Sequence, residues 1–540
     1  MSGTPTPPGR LTAGQGIGAA AALIMLGTIM SRVLGLVREQ VTSYLFGTSD
    51  LVAAFTIADN IHTMLFDLVI SGMMQAALIP VLSQYSGDEQ RHELRRITGA
   101  LLTLTVIIVG AVVVLLEIFA PMAVRVMTEL GAAGETRGPE VFDLTVELVR
   151  LILPAVLLLA ISTIIMATLY SLQRFTRPAL SLSMRNAAIV FCALTLGRTE
   201  IGVRALVIGI VLGAVLMIVI QLPGLRDAMP IPNFEFGHPA IRRIYILYLP
   251  IFLGLFANTV ALVVDRNLAW RVSEHAVGAM RYATTLNQMI LGLVAAAISL
   301  AALPTLSRHA AAADEAAYRE TLSRGLRMVT VLVVLAAFGM MALSWPIVQL
   351  LFFHGATTEE GANAIWLALV LYLPGTLFAA FDQVLIFAYY ARQNTKTPQI
   401  VGVLAVVVYF SVALPLVGSL GMAGLVIANS IQFMFHTIVM ILLMRRLLAG
   451  ESLDGGRLAR TFKVCLGVSL VMAAIAGAIS LGMMMALDDL SGTAGLLADA
   501  LIVGIPAAIG AGIYALGLFR FEIDEARTIQ RRILSMVGRA

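Results

Sequence analysis

The sequence predicts an all-α polytopic membrane protein of about fourteen transmembrane helices, with two six-helix lobes in parallel repeat plus two C-terminal helices. Three observations carry this. Of 540 residues, 59% are hydrophobic and only 13% charged, with a mean hydropathy of +0.92, whereas a soluble chain sits nearer half apolar and a quarter charged. The apolar residues come in runs of about twenty or more without the dyad alternation of barrel strands, so helices must satisfy the backbone inside the bilayer. One stretch of sequence also returns 220 residues later.

In chain order, residues 1–16 are rich in Pro, Gly and Thr and read as a flexible cytoplasmic N-terminus. The apolar run from residue 17 continues through Arg32 and Arg38 to residue 46 without a convincing cleavage site, so it is a retained first span rather than a signal peptide. The following spans are expected near 51–84, 97–120, 141–170, 179–197, 202–222, 243–270, 277–306, 326–353, 361–391, 398–416, 420–447, 460–487 and 493–519. The domain organisation that follows is an N-terminal lobe over 17–222, a C-terminal lobe over 223–448, a loop and two helices over 449–519, and a cytoplasmic tail over 520–540. That tail sets Ile523, Ile529, Ile533 and Val537 among arginines, which suits either a short interfacial helix or a charged terminus.

Charge decides orientation. The loops 84–98, 171–178, 223–243, 307–327, 391–397 and 445–463 and both tails carry most of the Arg and Lys, while the breaks at 47–50, 354–360, 417–419 and 488–492 carry none. The basic side is cytoplasmic, which places both termini inside a bacterial inner (plasma) membrane. Basic residues spread through short loops give no nucleic-acid patch. Cys192 and Cys465 lie inside separate apolar runs and read as packing residues.

The repeat pairs LVRLILPAVLLLAISTIIMATLYSLQRFTRP, ending at Pro178, with ALVLYLPGTLFAAFDQVLIFAYYARQNTKTP, ending at Pro398. Leu153-Pro154 answers Leu373-Pro374, and Gln173 answers Gln393, each at an offset of 220. A second pair, around Pro80 and Pro304, has an offset of 224. Six spans per period is an even number, so the halves keep one orientation, related by an axis along the membrane normal. Repeats of this kind put a substrate site between the halves and support alternating access.

Ionisable residues at span centres cost roughly 2.5–3.5 kcal/mol on insertion scales and usually line a cavity. Here they are Arg32 and Arg38 in span 1, Asp59, His62 and Asp67 in span 2, Asp265 and Arg266 in span 7, Arg281 in span 8 and Asp382 in span 10. Asp59 and His62, spaced i, i+3, share a helix face. Arginine is suited to paired hydrogen bonds with phosphate oxygens, so Arg32, Arg38, Arg266 and Arg281 are the candidate substrate-binding residues. Asp59, His62, Asp67, Asp265 and Asp382 are the candidate coupling or cavity groups. The P-loop, HExxH and GxSxG patterns are absent, so no enzyme activity, cofactor or metal is expected. Gly209 and Gly213 form a GxxxG packing face.

SRVLGLVRE (31–39), LFG (45–47), IPVLSQY (79–85), LPTLSR (303–308) and YYARQNTKTP (389–398) together resemble the MurJ (MviN) family of lipid II flippases, in the multidrug/oligosaccharidyl-lipid/polysaccharide exporter superfamily. The resemblance covers about residues 20–520. It implies fourteen helices, a V-shaped central cavity between two lobes, and a hydrophobic groove at helices 13 and 14 for a prenyl tail. It also implies a role for the arginines at Arg32 and Arg38 in flipping a lipid-linked peptidoglycan precursor. The expected partners are that lipid-linked glycan precursor, the bilayer and Na+ or H+, with the chain a monomer. The chain departs from the family where span 2 usually carries TDAF, LPNLLRR and EG: here stand Val52-Ala53-Ala54-Phe55, then Ile61 to Asp67, then Ser71-Gly72. Phe66 and Asp67 replace an arginine pair, and Thr285 stands where the family's span-8 arginine falls. The readings that compete with lipid II flipping are export of another lipid-linked oligosaccharide, small-molecule or cation antiport, and a membrane scaffold.

Overall fold

The structure, a computed structural model, describes residues 13–68, 74–129, 137–448, 455–487, 492–527 and 530. Most of the N-terminal segment 1–16, the Ser71-Gly72 position and the tail residues Ile529, Ile533 and Val537 lie outside the described residues. Among the described residues every regular element is helical. In order these are α1 (Ala13–Phe46), α2 (Asp50–Phe66), α3 (Ile79–Leu82), α4 (Arg91–Ile118), α5 (Ala120–Thr128), α6 (Pro139–Ser171), α7 (Thr176–Leu196), α8 (Arg204–Gln221) and α9 (Pro239–Val272). There follow α10 (Ala276–Ile290), α11 (Ala296–Ala311), α12 (Glu315–Ala342), α13 (Ser344–Leu351), α14 (Glu359–Ala391), α15 (Lys396–Leu420), α16 (Met422–Leu447), α17 (Gly455–Leu487) and α18 (Gly492–Arg520).

Eleven stretches of helix among the described residues are long and apolar enough to cross a bilayer, and the chain is a multi-pass membrane protein. The three other expected spans, 17–46, 51–84 and 243–270, fall on α1, α2 with α3, and α9. The chain divides into two compact units: residues 1–41 with 54–260, and residues 42–53 with 261–540.

In the first unit α6 is buried along most of its length, and α7 and α8 form a tight hairpin. GxxxG makes that hairpin close. A Cβ at Gly209 would lie 2.6 Å from the Ile189 Cα, and one at Gly213 would lie 2.9 Å from the Arg185 Cα. The segment after α8 runs as a strap over the polar ends of α4 and the α6–α7 turn. Arg174 grips Asp227 with both terminal nitrogens, at 2.5 and 2.7 Å, and Arg91 reaches the same carboxylate at 3.0 Å. Further along, Arg95 Nε donates to the Met229 carbonyl, Ile231 N to the Arg95 carbonyl, and Arg96 bridges Glu93 and Glu235. Three basic loops that the charge pattern put on one side therefore meet on one face of this unit. The Arg174 guanidinium, with Arg91 behind it, holds the Asp227 carboxyl at about 2, against an ordinary 3.8.

The second unit is built around α14, whose inner face packs with α10, α12 and α16. Its polar rim includes the α1–α2 tip, residues 42–53. Ser43 Oγ lies 2.8 Å from Thr357 Oγ1, Ala356 N donates to the Tyr44 carbonyl at 2.9 Å, and Tyr282 donates its hydroxyl to the Gly47 carbonyl at 2.8 Å. Gly355 (φ +66°) permits this approach, because a Cβ there would collide with the Tyr44 carbonyl. At the other end, Arg327 pairs with the buried Glu525 at 2.5 Å, and Ile523 is buried against Val331 and Tyr514. The start of the tail is thus docked on α12 and α18.

The repeat has a backbone signature. Gln173 and Gln393, at the 220-residue offset, are both left-handed, with φ of 58° and 57°. Each ends its helix in the same way: Arg174 N bonds the Leu169 carbonyl and Asn394 N the Tyr389 carbonyl. Pro154 and Pro374 lie at matching positions inside α6 and α14. Each half also carries a π-helical turn in its second span, Met74–Leu78 and Leu291–Ala295.

Candidate functional site

Two polar clusters interrupt the apolar interior, one in each unit. In the first unit, Arg38 near the end of α1 donates to Glu39 from Nε at 3.0 Å and from a terminal nitrogen at 2.5 Å, and to Asn186 of α7 at 3.3 Å. Glu39 is fully buried. Burying a carboxylate is costly unless a paired, hydrogen-bonded cation meets it, and Arg38 fills that need. Asn186 also donates to the Ser31 carbonyl at 3.0 Å, so the α7 amide fixes α1 at two levels. Arg32 is half-buried on the same helix.

One residue earlier on α7, Arg185 lies near His62 of α2. The helical spacing brings His62 Nδ1 to 3.7 Å from Asp59 Oδ1, with His62 1% exposed and Asp59 14%. Asp67 follows on the π-helical turn after α2, and beside it Tyr248 of α9 donates its hydroxyl to the Leu68 carbonyl. The first unit thus sets Arg38 against Asn186 of α7, and Asp59, Asp67 and Arg185 within electrostatic reach of His62. Sequence reasoning missed Glu39, Arg185 and Asn186. Adjacent Arg and Asn residues at the centre of an apolar run were the available signal for the latter two.

In the second unit, Asp265 of α9 accepts the Tyr409 hydroxyl from α15, and Arg266 sits 3.9 Å from Asp265. Both side chains are mostly buried, 19% and 13% exposed. Tyr372 of α14 and Thr284 of α10 lie against the same group. Arg281 is half-buried one turn before Thr284 and Thr285. Asp382 stands apart from this cluster. Its carboxylate is held by His436 Nδ1 of α16 at 2.6 Å, and His436 Nε2 lies 3.4 Å from the Pro398 carbonyl. The equivalent place in the first half, 220 residues earlier, is Ser162, which with Ser181 accepts from Gln221 at 3.1 and 2.9 Å. The His436–Asp382 hydrogen bond thus stands where the first half has a neutral network in the seam between helices. Sequence reasoning had grouped Asp382 with the cavity residues. Asn287 of α10 accepts from Thr376 at 3.0 Å, closing a further helix–helix contact.

Two apolar grooves run along the last helices. One of about 510 Å³ lies between α17 and α18, with Val464, Val468, Ile513 and Phe521 in its walls and Lys463 at its rim. The other, about 310 Å³, lies between α12 and α18 and ends at Gln530. The first lies on α17 and α18, the two helices for which the sequence resemblance implies a groove; the second lies on α12 and α18. Among the described residues no trio of His, Cys, Asp or Glu is placed to hold a metal ion.

The sequence profile of the family described as lipid II flippase MurJ matches residues 42–491. The lipid II flippase MurJ of Burkholderia cenocepacia is 26% identical over 458 residues, 83% of this chain and 87% of that one. The probable lipid II flippase MurJ of Vibrio cholerae is 29% identical over 422 residues, covering 75% and 78% of the two chains. Among solved structures, a lipid II flippase MurJ in an inward closed conformation superposes with a TM-score of 0.73 at 21% identity, over 92% of this chain and all of that one. An inward-facing MATE-family multidrug resistance transporter gives 0.69 at 14% identity, over 80% and 98%.

Proposed function

Since the chain belongs to the lipid II flippase MurJ family, we propose that it translocates the polyprenyl-pyrophosphate-linked peptidoglycan precursor lipid II from the inner to the outer leaflet by alternating access. It does so in the inner membrane of a bacterium, as a monomer with both termini in the cytoplasm. No bond is made or broken in such a step, so the chain is a transporter and not an enzyme. The observation that carries the reading is the pairing of family membership over most of the chain with arginines held inside apolar helices.

A diphosphate head group needs fixed, permanently charged donors. Arg38 supplies one, aimed by Glu39 and Asn186, and Arg32, Arg266 and Arg281 supply further charge. The carboxylates Asp59, Asp67 and Asp265 hold these helices electrically neutral when no anion is bound. The lobes 17–222 and 223–448 are the repeat halves that alternate, and the prenyl tail follows the grooves on α17 and α18. The arginines absent at Phe66, Asp67 and Thr285 are offset by Arg185 of α7, which lies near His62, and by Arg266 of α9.

The test is transport by the purified protein in liposomes, comparing lipid II with a cationic dye. Lipid II reaching the far leaflet while the dye is excluded supports the reading. Dye export driven by an ion gradient, without lipid II movement, overturns it.

A further inference from the structure

One polar pair in the second unit differs in kind from its repeat counterpart. In the first half, the Pro178 carbonyl accepts the Ser181 hydroxyl at 2.8 Å, and Gln221 donates to Ser181 and Ser162 at 2.9 and 3.1 Å. Every hydrogen in that network belongs to an amide or an alcohol, so nothing in it titrates. At the 220-residue offset, Pro178 becomes Pro398 and Ser162 becomes Asp382. One imidazole now spans both places: His436 Nδ1 lies 2.6 Å from Asp382 Oδ1, and Nε2 lies 3.4 Å from the Pro398 carbonyl. Asp382 is 6% exposed and His436 7%.

A carbonyl oxygen only accepts hydrogen bonds, and so does an ionised carboxylate. Both ring nitrogens are therefore satisfied together only when each carries a hydrogen, as in imidazolium. Burial penalises net charge, and here that penalty favours the added proton. Imidazolium beside carboxylate is neutral as a pair. With the proton gone, a buried negative charge is left uncompensated, and the Nε2 lone pair faces those of the Pro398 carbonyl. The ring is the stronger base of the two, about 6.5 against about 3.9 in ordinary surroundings, so the hydrogen between them stays on Nδ1. Among the described residues, each group is the only charged neighbour acting on the other. The further titratable group facing Asp382 is the Tyr390 hydroxyl of α14, which lies against Gln399 of α15. The 2.6 Å gap between ring and carboxylate admits a hydrogen, whereas a metal ion would need about 2.0 Å on each side.

We propose that Asp382 and His436 form a proton-binding site in the second half of the chain: the ring takes one proton from water at Nε2 and returns it to water when the seam between α14, α15 and α16 opens. The site has no counterpart in the first half, so H+ acts on one half of the repeat. The use of the proton in lipid translocation rests on the flippase reading above; the binding of the proton does not.

Infrared spectroscopy of the full chain in lipid nanodiscs, with ring-labelled histidine, reads the imidazole state directly. At about pH 8, above the range in which ordinary histidine is charged, the wild type should show one imidazolium ring more than His436→Gln. Asp382→Asn should lack that ring too, because the carboxylate that neutralises it is gone. Equal imidazolium signals from the three chains, or none from the wild type, would overturn the proposal. Should one variant fail to insert, the other decides alone: a signal equal to the wild type's sinks the site. In liposomes bearing lipid II, an imposed pH gradient should accelerate flipping by the wild type and not by Asp382→Asn. Equal acceleration of both would remove this proton from the transport cycle. The extra imidazolium without any lipid II movement would end the flippase reading and leave the site standing. Flipping without the extra imidazolium would do the reverse.

Discussion

At the residue scale, the most constrained positions are those where one side chain resolves a cost imposed by another. Gln393 adopts a left-handed conformation that non-glycine residues reach at a cost of roughly 1–2 kcal/mol. Gln393→Gly should therefore raise the thermal unfolding midpoint in detergent, and Gln393→Val should lower it. Asp382 is the only hydrogen-bonding partner of His436 Nδ1 among the described residues. Asp382→Ala leaves a buried polar group unmatched, a loss of about 1–3 kcal/mol, and the same thermal measurement should register it, with Asp382→Asn milder. The sequence announced Arg32, Arg38, Asp59, His62, Asp265 and Arg266, because charge in an apolar run needs no structure to be noticed, but Glu39 and Arg185 went unremarked. It did not announce partners. Glu39 follows Arg38 directly, yet adjacent residues on a helix do not normally face one another, and only the inward turn of both side chains near the end of α1 makes them a pair. His436 lies 54 residues from Asp382, a separation that helical spacing cannot bridge.

At the element scale, the strap after α8 and the α1–α2 tip are held by polar contacts of different kinds. The strap depends on charge. Its Asp227 carboxyl is depressed to about 2 by Arg174, so the stabilisation is fully present above the ordinary 3.8 and is lost as pH falls through about 2. Both partners are more than a third exposed, which makes the effect modest. Limited proteolysis of residues 222–238 should accelerate in Arg174→Ala at neutral pH, and in the wild type only when acidified. The tip depends on backbone geometry instead. Gly355→Ala should lower the unfolding midpoint irrespective of pH, because the new Cβ meets the Tyr44 carbonyl and the positive φ becomes strained. Helices and their rough limits were legible from hydropathy. The tip's membership of the second unit was not, because it depends on hydrogen bonds between residues 314 apart, Ser43 and Thr357. The same limit applies to the π-helical turns, which interrupt α-helical bonding without a change in apolar character.

At the scale of the whole molecule, the repeat was readable because two proline-bearing helices end in the same sequence, and the matched φ angles of Gln173 and Gln393 give it a physical basis. The distribution of arginine among loops was readable for the same reason that it orients the chain: translocation of basic loops is disfavoured. A cysteine introduced at Ser86 should react with an impermeant thiol reagent only after the cytoplasmic face is opened, and one at Thr358 should react from outside in intact cells. The native Cys192 and Cys465 are buried and give a low background. What the sequence left open was which charged groups share surroundings, since that depends on helix rotation about axes set by close packing such as that at Gly209 and Gly213.

The central claim is that this chain delivers lipid II to the outer leaflet through arginines held within its helices. Its most direct measurement is the exposure of lipid II on the outer face of cells depleted of their own flippase and supplied with this chain. The wild type should restore outer-face lipid II, and Arg38→Ala, present in the membrane at the same level, should not. Absence of outer-face lipid II with the wild-type chain inserted, or full restoration by Arg38→Ala, would contradict the account.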